Sequence, residues 1–216
     1  MKFNFLNPDS SLYCFAEWAQ RLVFLNVLWI LFTLLGLIIF GITPATVALF
    51  DIINKYIKGN ENISIYRNFW KQYKLNFIRA NILGMILIVT SYILYFNIQY
   101  YEAQEGIIYF SFYSATLIIS FLYLILLLYV FPIYVNYDLS IYYVLKNALF
   151  ISFLTPLKTL LIMGGIVGLY FVFMLLPSLL PFLSISTLSY IIMWFTSQSF
   201  SKVEQKIKHH QQKQDS

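Results

Sequence analysis

Residues 22–50 read LVFLNVLWILFTLLGLIIFGITPATVALF, and no charge interrupts the chain between Arg21 and Asp51. As one helix this run would be about 43 Å long, against roughly 30 Å of bilayer hydrocarbon. The excess calls for a turn, and Pro44 is the expected break, because proline lacks an N–H and crowds the preceding helical turn. Residues 21–43 then form a first membrane span. Beyond Pro44, Asp51, Asn54, Lys55 and Lys58 share one helical face, and Leu49, Ile52, Ile53, Tyr56 and Ile57 share the other. That division predicts an amphipathic helix lying along the interface, with Asp51 and Lys55 placed to pair at i, i+4. Gly59-Asn60 ends it and a further helix starts near Ser64. There Arg67, Lys71 and Lys74 form a basic stripe backed by Phe69, Trp70, Tyr73 and Phe77, the pattern of headgroup contact. Arg79 stands near enough to the next span's end to snorkel.

Composition fixes the solvent. The 216 residues are 60% hydrophobic and 11% charged, whereas soluble domains carry about 25% charged residues. So few charges cannot cover a water-exposed surface. The net charge of +5 would suit nucleic acid in a soluble protein, but here the cations flank apolar runs, and anionic lipid headgroups are the simpler partner. Cys14 is the only cysteine, so no internal disulfide forms. Residues 1–20 read as a leader and interfacial helix. Asp9 and Glu17 precede an apolar run too long for a cleaved signal peptide.

The rest of residues 21–200 completes a single transmembrane domain, with further spans at about 78–97, 107–133, 157–176 and 182–200. Pro132 takes the place that Pro44 held, ending the third long run before a second interfacial helix that carries Lys146. Gly164 and Gly168 make a small-xxx-small pair suited to helix packing or to a homo-oligomer. The last span holds Ser184, Ser186, Thr187, Ser189, Thr196, Ser197, Gln198 and Ser199, so it should face other helices or water. A basic tail, 201–216, follows with Lys202, Lys206, Lys208 and Lys213. The fold class is all-α: a polytopic helical bundle of about five spans with amphipathic interfacial helices. Five spans put the cations of the 44–79 loop, of the 134–158 connection (Lys146, Lys158) and of the tail on one side, which is cytoplasmic. The N-terminus is then outside and the C-terminus inside; a four-span count with one re-entrant run would bring the N-terminus inside.

Chemistry-bearing patterns are scarce. No carboxylate, His, Lys or Arg lies deep in an expected span, which argues against ion-coupled transport. The sequence has neither a nucleotide-binding glycine loop nor a His-Glu-x-x-His motif. His209 and His210 sit in the tail without nearby metal-ligand partners. The expectation is a non-enzymatic protein with no catalytic, cofactor or metal residues. Asn26, Asn81 and Asn147 are expected to bond between helices. A small-solute permease or channel, lined by the hydroxyls of the last span, is the alternative.

A resemblance adds to this. LNVLWILFTLLGLIIFGITPATVALF followed by FWKQYKLNFIRAN, and later LYVFPIYVNYDL and LKNALFISFLTPLKTLL, resemble the YesL-like family of bacterial integral membrane proteins. The likeness is strongest at Asn26, Trp29, Gly36, Gly41, Pro44-Ala45, Phe69-Trp70, Lys74, Asn81, Pro132 and Lys146-Asn147-Ala148. The resemblance implies a multi-pass protein of the bacterial plasma membrane. It also implies a supporting role in carbohydrate uptake, with subunits of an ABC-type importer as partners. It supplies no catalytic or ligand residues.

Overall fold

The computed structural model describes residues 11–60 and 63–214, with side chains placed for 16–60 and 63–200. The leader before Ser11, the side chain of Cys14 and the side chains of the basic tail, including His209 and His210, lie outside the described residues. Seven α-helices follow in order: α1 (Ser11–Leu35), α2 (Ile39–Ile57), α3 (Ile65–Glu102), α4 (Ile107–Asn136), α5 (Ile141–Leu154), α6 (Pro156–Leu175) and α7 (Leu180–Gln214), with a 3₁₀ turn at Pro177–Leu179. No strand occurs among the described residues, and five of these helices are long and apolar enough to cross a membrane. The all-α helical bundle is therefore the fold.

The uncharged run 22–50 departs from expectation. Helix α1 stops at Leu35 and the chain reverses at Gly36–Ile38, while Pro44 lies inside α2. The stop is a Schellman motif: Ile38 N donates to Thr33 O (2.9 Å) and Leu37 N to Leu34 O (3.0 Å). The left-handed position that glycine usually fills is held by Leu37, at φ 55°. Gly36 and Gly41 act by smallness instead. A Cβ on Gly41 would overlap the backbone of Thr33, and one on Gly36 would overlap the backbone of Gly41. The two helices therefore close into a tight antiparallel hairpin. Trp29 Nε1 donates to Thr46 Oγ1 (3.0 Å), and near the open end the Arg21 guanidinium stands 5.3 Å from the centre of the Tyr56 ring. Pro44 leaves the Phe40 carbonyl without its usual helical donor, a loss that a helix enclosed by neighbouring helices tolerates. Pro132 likewise lies inside α4, which runs on to Asn136, where the Asn136 side chain bonds the Pro132 carbonyl (3.1 Å). Neither proline is a helix break.

Helix α2 also differs from an interfacial helix. It packs against α1, α3, α4 and α7, and Ala45, Ala48, Leu49, Ile52 and Ile53 are fully buried. It is the hub of the bundle. Two members of its polar stripe, Asn54 and Lys58, meet the end of α4 at Asn136. By contrast the end of α2 behaves as read. Gly59, at φ 84°, closes a second Schellman motif through Asn60 N to Lys55 O (3.0 Å).

The glycines of α6 do not pack as a pair within the chain. A Cβ on Gly164 or Gly168 would meet nothing within 4 Å, whereas one on Gly165 would stand 2.9 Å from Ile191 of α7. Gly165 is thus the packing glycine within the chain, and the Gly164–Gly168 pair faces outward. A further close approach joins α2 and α3, where a Cβ on Gly84 of α3 would collide with Thr43 of α2.

Candidate functional site

The charged and polar groups gather where α2, α3, α4 and α5 meet. Asp51 and Lys55 pair within α2 at 2.7 Å, both partly buried. One turn on, Asn54 is almost wholly buried; its Nδ2 donates to Asn136 Oδ1 (3.1 Å), which also accepts from Lys58 Nζ (2.8 Å). Asn54 Oδ1 has no hydrogen-bond partner, a buried acceptor of the kind that costs about 1–3 kcal/mol. Arg79 does not simply reach for the interface. Its guanidinium bonds Asp138 Oδ1 (2.9 Å) and the Leu139 carbonyl, and stands 5.2 Å over the Tyr134 ring. Tyr134 in turn donates to Asn76 Oδ1 (3.1 Å). Together these contacts clasp the end of α4 and the turn into α5 against α2 and α3.

Among the seven cations expected at the interface, the structure separates two groups. Lys58, itself exposed, and Arg79 join the clasp, while Lys55 pairs with Asp51 inside α2. Arg67, Lys71, Lys74 and Lys146 are exposed, and the Lys74 ammonium lies 5.4 Å from the centre of the Trp70 ring. Asn136, Asp138, Asn76 and Tyr134 were missed from the sequence. Tyr134, Asn136 and Asp138 share one signal, their place at the end of the long apolar run that begins at Ile107, whereas nothing in the sequence marks Asn76.

Four of the eight polar side chains named in the last span turn inward. Ser186, Ser189, Thr196 and Ser199 are buried, but the Thr196 and Ser199 hydroxyls return to carbonyls of their own helix. Ser184, Thr187, Ser197 and Gln198 are only half-buried. A second buried group, Tyr129 with Thr159 (2.9 Å) and Thr155 (3.4 Å), ties α4 to the α5–α6 junction, and Lys158 bonds Gln198 across α6 and α7. Asn26 bonds between helices as expected. Its Nδ2 donates to Pro181 O (2.8 Å), and its Oδ1 accepts from the N–H groups of Ile185 (3.1 Å) and Ser186 (3.2 Å). Asn81 instead donates to Phe77 O of its own helix (2.8 Å). Among the described residues no group of three or more His, Cys, Asp or Glu side chains comes together. The arrangement joins helices internally and leaves Arg67, Lys71, Lys74 and Lys146 on the surface.

The chain is similar to three proteins of Bacillus subtilis (strain 168). It is 37% identical to "Uncharacterized protein YteU" over 88% of this chain and 86% of that protein. It is 34% identical to "Uncharacterized protein YesV" over 93% and 96%, and 34% identical to "Uncharacterized protein YesL" over 89% and 90%. No solved structure matches. The family described as "Protein of unknown function, DUF624" matches residues 22–98, the hairpin and most of α3. With relatives this similar along most of their length, the chain belongs to the YesL-like, DUF624 family.

Proposed function

We propose that the protein is a non-enzymatic accessory or regulatory component of the bacterial plasma membrane, working beside an ABC-type carbohydrate importer. One observation carries the docking part of this reading. Helix α3 has 38 residues, about 57 Å, against roughly 30 Å of hydrocarbon. An unbroken helix that long extends past the apolar layer, and its first turns hold exposed Tyr66 and Arg67. The outer face of α5 adds Tyr142, Tyr143 and Lys146, all exposed. Aromatic and cationic side chains on a rigid support suit an acidic protein surface. The carbohydrate part rests on the family resemblance.

The orientation we propose follows from the hairpin and the cations. Both open ends of the α1–α2 hairpin are polar, with Glu17 and Arg21 on one strand of the pair and Asp51, Lys55 and Lys58 on the other. Its tip is apolar, with Leu35 68% and Leu37 80% exposed. Such a hairpin enters and leaves at one leaflet. Four further crossings by α3, α4, α6 and α7 then bring the C-terminus to the same side, and the cationic loops make that side cytoplasmic. Photo-crosslinkers at positions 67 and 143 in native membranes test the docking reading. Recovery of an importer subunit is expected; recovery of lipid adducts alone, or sugar flux through vesicles holding only this chain, would overturn it.

A further inference from the structure

We propose that α3 and the start of α2 form a specific site for an anionic phospholipid. One acyl chain lies in the groove between the two helices, and the phosphate is held by Lys71 and Lys74. This goes beyond the docking role and does not depend on it. The groove has a volume of about 460 Å³. One wall is Ile39 and Phe40 of α2, and the other is Ile78, Ile82 and Met85 of α3. Residues 78–88 rise about 15 Å along α3, half of a roughly 30 Å hydrocarbon layer and so the depth of a single leaflet.

Charge identifies the occupant. At about 100° per residue, Lys71, Lys74, Ile78, Ile82 and Met85 all fall on one face of α3. Lys74 precedes Ile78 by one helical turn, about 6 Å, so the apolar channel leads directly to two exposed ammonium groups. Neither lysine enters the clasp, and among the described residues 63–101 none is Asp or Glu. Trp70 lies against Lys74 and is itself 43% exposed, a ring at the depth where tryptophan sits beside glycerol and phosphate. A detergent or zwitterionic lipid would fill the groove equally well, but only an anionic headgroup satisfies both lysines.

Native mass spectrometry of the full-length chain in micelles, titrated with phosphatidylglycerol or phosphatidylcholine, measures the first bound lipid. Phosphatidylglycerol is expected to bind more tightly. Lys71→Gln and Lys74→Gln should each reduce that preference by about fivefold, the effect of one cation near a charged headgroup. Met85→Trp and Ile82→Trp, both at exposed positions, should fill the groove and weaken the first site for both lipids. Lys213→Gln, in the basic tail, is the control for a cation elsewhere and should change neither. Melting temperatures within those of the parent chain confirm folding for each variant. Unchanged preference in the double lysine variant would overturn the site. So would undiminished phosphatidylglycerol binding in both groove-filling variants, which would reduce the contact to a charged surface.

Discussion

Gly84 and Gly164 are both helical glycines, yet only one is needed for its lack of a side chain. Gly84 allows Thr43 of α2 to rest on the α3 backbone, so Gly84→Ala must push the two helices apart. The cost expected is about 1–3 kcal/mol, typical of overpacking, read as a lowered Tm in detergent. Gly164 has open space around it, so Gly164→Ala should leave the monomer at least as stable, since alanine is the better helix former by up to about 1 kcal/mol. A clear loss of stability in Gly164→Ala would show that a second chain covers this face. Leu37 offers the opposite case. Its left-handed backbone costs an L side chain about 1–2 kcal/mol, and Leu37→Gly should recover part of that as a higher Tm. A fall in Tm would mean that the exposed leucine is held by contacts worth more than the strain.

At the scale of elements, the joint between α1 and α7 shows how a single polar side chain can organise a bundle. Asn26 occupies both the carbonyl of Pro181 and the N–H of Ile185, the two groups that an undisturbed α-helix would pair with each other. A side chain inserted there bends a helix and fixes its neighbour in register. Asn26→Leu strands these groups in an apolar setting, and the expected loss is about 1–3 kcal/mol. Thermal denaturation of the purified variant measures it; a value near zero would mean that the α7 ladder closes by itself. The clasp at α2, α4 and α5 works on the same logic with charges added. Truncating Asn136 would release both Asn54 and Lys58.

For the whole molecule, the firmest expectation concerns the two ends of the chain. Reporter domains fused before Met1 and after Ser216 should both report the cytoplasm. An N-terminal reporter active only outside would restore a single crossing by α1 and remove the hairpin reading. The solvent was legible in the sequence, because it follows from how few charges the chain carries. The helix start near Ser64 was legible too, and so was the helix end at Gly59, where glycine stands at the left-handed position itself. The reversal at Gly36–Ile38 was not, because Leu37 holds that position and Pro44 offers a stronger local signal. Nor was the burial of α2, since a stripe of Asp51, Asn54, Lys55 and Lys58 looks alike whether it meets water or Asn136 of another helix. The stitch between Asn26 and Pro181 has a kinetic corollary. The two residues are 155 positions apart, so at synthesis rates of about 5–20 residues per second the amide waits roughly 8–30 s for its acceptor to leave the ribosome. Throughout that interval the amide must rest on a local partner, such as the carbonyl one turn back that Asn81 uses, and the joint between the first and last helices closes only once the chain is nearly complete.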